Sequence, residues 1–149
     1  MNPLDFLNAQ YRSMPPVAAM QIQALSWDGD ALRLRAPIAA NVNDKHSAFG
    51  GSLASIMTLA AWGMLTLKLQ QCGIQAQVYV ADSHVRYLKP LYADLLAEAR
   101  LEPEVDWDHV LHSYRDRGRA RAAVVSAVLG PEGEPMATLT GRFAALRAD

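Results

Sequence analysis

From Ser52 to about Gln71 the chain is built of good helix formers, with no charge before Lys68. Leu53, Ile56, Met57, Leu59, Ala60, Trp62, Met64, Leu65 and Leu67 cannot share one stripe at helical spacing. A helix apolar nearly all round is buried nearly all round, so the rest of the chain must surround it. Cys72-Gly73 provides its C-cap. The longest apolar run, Leu53 to Leu67, is broken by Ser55, Thr58, Gly63 and Thr66 and falls short of the ~20 residues a bilayer span needs. A core helix is expected, with no membrane partner.

The flanking segments read as strands. Asn2 and Pro3 suit an N-cap and first helical position for a short amphipathic helix through Leu7 to Tyr11, which Pro15-Pro16 stops. Met20 to Trp27 and Ala31 to Pro37 flank the turn Asp28-Gly29-Asp30, which predicts a hairpin. Ile38 to Ala48 is a polar loop. After the helix come Gln75 to Leu88, closed by Pro90, and then Leu95 to Leu101. Val105 to Arg115 predicts one or two helical turns. Arg117 to Leu129 and Met136 to Leu146 flank the turn Gly130-Pro131-Glu132-Gly133-Glu134. No repeat, low-complexity tract or linker interrupts residues 1–149, so a single domain is expected. One sheet rarely closes every flank of such a helix, which points to a second copy of the chain.

Composition excludes several classes. Fourteen basic against fifteen acidic residues leave a net charge of -1, so no global field steers the chain to nucleic acid. Cys72 is the sole cysteine, which forbids an intrachain disulfide. The start Met1-Asn2-Pro3-Leu4-Asp5 lacks the basic and apolar regions of a signal peptide, and a cytoplasmic location is expected. His109 and His112 lack the H-E-x-x-H pattern and read as a solvated helical face, so no metal is expected. A G-x-S-x-G elbow is absent from the sequence, which argues against a Ser-His-Asp hydrolase.

Three segments in order resemble the hotdog-fold thioesterase superfamily. Asn43-Asp44-Lys45-His46-Ser47-Ala48-Phe49-Gly50-Gly51-Ser52 is similar to its asparagine loop running through HGG into the helix, with Phe49 where many members carry histidine. Asp82-Ser83-His84-Val85-Arg86-Tyr87-Leu88-Lys89-Pro90 is similar to its strand ending in an aromatic, a basic residue and proline. Ala137-Thr138-Leu139-Thr140-Gly141-Arg142-Phe143 is similar to its last strand. The Phe-Gly-Gly-Ser start and Gly118-Arg119-Ala120-Arg121 most resemble the YiiD-type thioesterase domain. The resemblance implies an α+β hotdog fold, an antiparallel sheet wrapped around one long buried helix. It also implies homodimers or tetramers with sites between protomers, and thioesters of coenzyme A or an acyl carrier protein as substrates. Coenzyme A or phosphopantetheine then arrives with the substrate, and no separate cofactor is expected.

The candidate site residues follow from chemistry and resemblance together. Gly50 and Gly51 open a long helix, whose free N–H groups and positive end can hold a developing oxyanion; their alternative is a tight turn that admits the helix. Asn43 falls where relatives position water or substrate, or else bonds its own loop. Many relatives carry a carboxylate in the second or third helical turn, where this chain has Thr58. Thr58 can orient a water but cannot act as a carboxylate base. The base is then sought first at Asp82 and second at His46, whose alternatives are a structural hydrogen bond and a solvated loop. Ser52 can contact substrate or cap the helix. Arg117, Arg119 and Arg121 alternate, so in a strand they share one face suited to phosphates, or else protect an edge. A thioesterase is the expected function. A non-catalytic acyl-thioester binding module is the alternative raised by Thr58 and Phe49, and a dehydratase is the third.

Overall fold

The computed structural model describes residues 2–148. Asn2 accepts a hydrogen bond from the Leu4 N–H at 2.8 Å and caps α1, Pro3–Ser13. Pro15 then opens a second helix, α2 (Pro15–Met20), rather than only stopping the first. Proline lacks the N–H that a first-turn position leaves unused, so it starts a helix as readily as it ends one. Gln21, with φ 58°, closes α2, so the strand expected from Met20 begins at Gln23.

The hairpin forms as its turn signal predicts, between β1 (Gln23–Trp27) and β2 (Leu32–Ala36). The Asp28 carboxylate fixes it by accepting from the N–H groups of Asp30 and Ala31 at 2.8 and 2.7 Å. A short 3-10 turn, Ile38–Ala40, leads toward α3, Gly50–Gln71. Gly73 (φ 74°) ends α3: its N–H and that of Ile74 donate to the carbonyls of Gln70 and Leu69. Five more elements follow: β3 (Ala76–Tyr87), β4 (Leu95–Leu101), α4 (Trp107–Arg117), β5 (Arg119–Leu129) and β6 (Pro135–Arg147). At 11 residues α4 exceeds the one or two turns expected, because Asp106 caps it and Val110, Leu111 and Tyr114 bury its inner face.

The strands form one antiparallel sheet in the order β1-β2-β4-β5-β6-β3. Helix α3 packs against every strand from β2 to β6. Ile56, Met57, Ala60, Ala61 and Met64 are fully buried there. Opposite them the sheet offers Ala97, Ala99, Ala122, Ala137 and Ala145, and these small side chains let the helix approach closely. At 22 residues α3 is long and apolar enough to cross a bilayer, yet 67% of its apolar window is buried inside this fold. This is the sheet-wrapped helix that the resemblance implies.

Strand β3 is the edge next to β6, and most of it is exposed. A bulge between Val80 and Asp82 shifts its register against β6. The extra residue reverses the alternation, so Val78 and Val85, an odd number of positions apart, both pack on the core.

Candidate active site

The mouth of α3 is built by the segment that precedes it. Val42 and Ala48 form an isolated bridge, and the Phe49 N–H donates to the Asn41 carbonyl at 2.7 Å. Asn41 is 3% exposed and fully engaged. Its amide donates to the Met20 and Pro37 carbonyls at 3.0 and 2.8 Å, and its Oδ1 accepts from Ser52 Oγ at 2.8 Å. One side chain therefore ties α2, the 3-10 turn and the first turn of α3 together. Asn41 and Asn43 lie two residues apart in one polar loop, and burial distinguishes them.

The first rung of α3 runs from the Leu53 N–H to the Phe49 carbonyl at 3.0 Å, and Phe49 provides no side-chain cap. The N–H groups of Gly50, Gly51 and Ser52 precede that rung and carry the positive end of the helix. Gly51 is exposed and Gly50 half-buried. At Gly51 an added Cβ would lie 2.4 Å from Phe49 Cε2, so the exposed Phe49 ring would have to move. At Gly50 a Cβ would meet the Tyr87 ring at 3.5 Å, an ordinary contact. Phe49 and Tyr87, 55% and 58% exposed, thus flank two backbone donors. In the sequence Tyr87 belongs to a strand-end motif, and only the tertiary fold brings its ring beside Gly50.

Asn43 is bound into its own loop. Its Oδ1 accepts from the N–H groups of Lys45 and Ser47 at 2.8 and 3.0 Å, and its amide donates to Ser47 Oγ at 2.9 Å. One amide hydrogen is left over. His46 sits at the exposed tip with φ 66°, beside the exposed Asp44. Ser52 is buried on Asn41, and Thr58 Oγ1 donates to the Ala54 carbonyl at 2.8 Å.

Asp82 does not face the mouth. Directly paired residues of neighbouring strands point to the same side of a sheet. Val80 pairs with the fully buried Phe143 on the helix side, whereas Asp82, beyond the bulge, pairs with Arg142 on the outer side. Arg142 Nε donates to both Asp82 carboxylate oxygens at 3.2 and 3.1 Å, and Arg142 Nη2 adds a further bond. The guanidinium hydrogen bond holds this carboxyl below the usual carboxylate range, which makes it a weaker base. The expectation of Asp82 as general base is corrected: the bulge turns it to the opposite face.

Arg117 is corrected as well. It lies in the last turn of α4, separated by Gly118 (φ 74°) from Arg119 and Arg121 on β5. The three still line one cleft with Ser113, Ala144 and Leu146, of about 540 Å³. That cleft is far from Gly50 in the same chain. Tyr87 pairs with Ala137 at one end of β6, and Arg119 with Leu146 at the other; at ~3.3 Å per residue this is roughly 30 Å. His109 and His112 are exposed, and among the described residues no group of His, Cys, Asp or Glu could hold a metal ion.

The family described as "Putative thioesterase (yiiD_Cterm)" matches residues 5–147. The chain is similar to a protein of unknown function from Chlorobaculum tepidum TLS, at 29% identity and TM-score 0.87, over 98% of this chain and 93% of that one. It is similar at 30% identity and TM-score 0.86 to the "putative thioesterase" from Shewanella oneidensis, over 97% of each chain. A Pseudomonas aeruginosa protein described as "Probable Thioesterase" shares the fold at 21% identity and TM-score 0.80, over 97% of this chain and 95% of that one.

Proposed function

Because the chain belongs to the yiiD C-terminal thioesterase family of the hotdog fold, we propose that it hydrolyses acyl thioesters of coenzyme A or an acyl carrier protein at the Gly50–Gly51 mouth. The observation that carries the reading is an uncapped helix start whose N–H groups open between two exposed aromatic rings. A thioester carbonyl oxygen set there accepts from Gly50 and Gly51. As water adds to the carbonyl carbon, the oxygen gains negative charge, which the helix end stabilises. The C–S bond then breaks, and the acid and the free thiol leave. The spare amide hydrogen of Asn43 orients the water, and the His46 imidazole takes its proton and passes it to the departing sulfur.

The working unit of this proposal is a homodimer or a dimer of dimers. Strand β3 offers 12 residues of unpaired edge, and an uncovered edge of that length invites pairing with a second copy. Antiparallel pairing sets the far end of one β3 beside the near end of the other. That brings the second copy's arginine cleft to the end of the sheet that holds the mouth, on the outer face it shares with Arg142, where it receives the phosphates at the far end of coenzyme A.

Three measurements test this. The purified protein should release free thiol from a panel of acyl-CoAs and should elute at no less than twice its chain mass. Gly51→Ala, which drives a methyl into Phe49, should lower turnover about ten- to a hundred-fold, as expected on disturbing an oxyanion donor. A second reading, the non-catalytic acyl-thioester binding module, is favoured by Thr58 at the helical carboxylate position and by Asp82 facing away. Tight acyl-CoA binding without thiol release decides for it.

A further inference from the structure

We propose that Trp62 is the end stop of the acyl groove and limits this protein to short- and medium-chain acyl thioesters. The proposal rests on the thioester reading of the Gly50–Gly51 mouth. Gly51, Ser55, Thr58 and Trp62 recur at spacings of three and four, so they share one face of α3. Gly51 is exposed and the other three are half-buried, whereas Leu53, Ile56, Ala60 and Met64 on the other faces are buried. A floor of small side chains therefore runs from the mouth along the helix.

Trp62 bars that floor from wall to wall. On one side its Nε1 donates to the Val78 carbonyl of β3 at 3.0 Å. On the other its ring lies 6.0 Å from that of Tyr11, tilted by 53°. Tyr11 is itself fixed, because its hydroxyl donates to the Leu59 carbonyl at 2.9 Å. Swinging the indole aside would break a partly buried hydrogen bond and an aromatic contact.

Behind the indole lies a cavity of about 270 Å³ whose lining mixes apolar Phe6, Leu69 and Ile74 with the amides of Gln10, Gln70 and Gln75. Thr66 Oγ1 is buried with no hydrogen-bond partner among the described residues. A methyl tail entering that space would displace water from the three amides, which costs free energy. Trp62 thus separates the floor of small side chains from a chamber of mixed lining that carries three amides.

The length follows from helix geometry. From Gly51 to Trp62 the axis advances about 16 Å, and the indole leans back toward the N-terminus by up to a turn, leaving about 11 to 16 Å. A zigzag of ~1.5 Å bonds advances about 1.3 Å per carbon, so the groove takes roughly eight to twelve carbons.

The test compares saturated acyl-CoAs of about four to about sixteen carbons, for hydrolysis and for binding of their non-hydrolysable thioether analogues; each methylene that fits or fails to fit should count severalfold. For the wild type, kcat/KM and thioether affinity should fall at least about tenfold beyond roughly twelve carbons. Trp62→Leu should move the cut-off several carbons longer, and Ser55→Leu, which fills the floor nearer the mouth, should move it shorter. Trp62→Phe repeats the first arm if the leucine variant does not fold. A cut-off that neither position moves overturns the proposal, as does a profile flat to sixteen carbons. If thioethers bind with a movable cut-off but no thioester is cleaved, the hydrolase reading falls and the end stop stands. If neither binding nor cleavage occurs, both fall.

Discussion

Ser52 Oγ donates to Asn41 Oδ1 at 2.8 Å, with both side chains buried, and this bond fixes the loop to the first turn of α3. The Asn41 amide carries the restraint onward to the Met20 and Pro37 carbonyls. The two backbone donors at the helix start are therefore held by a residue that has no free polar atom for substrate.

Removing that restraint should loosen the mouth. Asn41→Ala leaves the Met20 and Pro37 carbonyls and the Ser52 hydroxyl without their partner, a loss of about 1–3 kcal/mol each where water cannot enter. The variant should melt several degrees lower and lose turnover. Ser52→Ala removes the hydroxyl but not the amide bonds, and its melting point should fall less. Equal losses from the two variants would contradict this assignment.

Asp82→Asn should leave kcat for acyl-CoA within about threefold of wild type, since a group on the opposite face of the sheet makes no transition-state contact. Its pH effect belongs to stability instead. The Arg142 hydrogen bond lowers the folded-state pKa of Asp82. The stabilisation is then present above the ordinary carboxylate range and is lost as pH falls through the depressed folded value. Denaturant titrations of wild type and Asp82→Asn should accordingly converge at low pH and differ at neutral pH. Loss of hydrolysis in a folded Asp82→Asn protein would return Asp82 to the catalytic machinery.

Gly63 is a packing glycine on α3. An added Cβ would stand 2.5 Å from the Tyr11 hydroxyl and 2.7 Å from Leu32 Cδ2, both on fully buried side chains. Gly63→Ala should therefore destabilise by about 1–3 kcal/mol through overpacking, despite alanine's better helix propensity. Chemical denaturation gives the number, and an unchanged midpoint would mean that α1 can shift outward without loss.

The arginine cleft gives a charge-dependent readout. Replacing Arg119 and Arg121 with glutamine should raise KM for acyl-CoA and flatten its salt dependence, with kcat little changed, because phosphate contacts bind ground and transition states alike. A short acyl thioester lacking the nucleotide should not respond. The same response from both substrates, or from neither, would leave these arginines as a protected sheet surface.

By itself the sequence determined the buried helix, the order of elements apart from α2, and the family pattern. An apolar run without a one-sided stripe can be satisfied only by enclosure, and Phe49-Gly50-Gly51-Ser52 marks where that helix begins. Local signals also placed the Asp28 turn and the Gly73 cap, since both depend on bonds between residues close in the chain. Tertiary structure alone decided which side chains meet. The β3 bulge set the face on which Asp82 lies, and no local pattern in Val80-Ala81-Asp82 announces an extra residue in the pairing with β6. Asn41 and Asn43 are alike in composition and context; burial against Met20 and Pro37 made one the anchor and left the other to its loop. The arginines were legible as a cluster, but their distance from Gly50 is set by strand register, in which one slipped residue would turn each side chain to the other face.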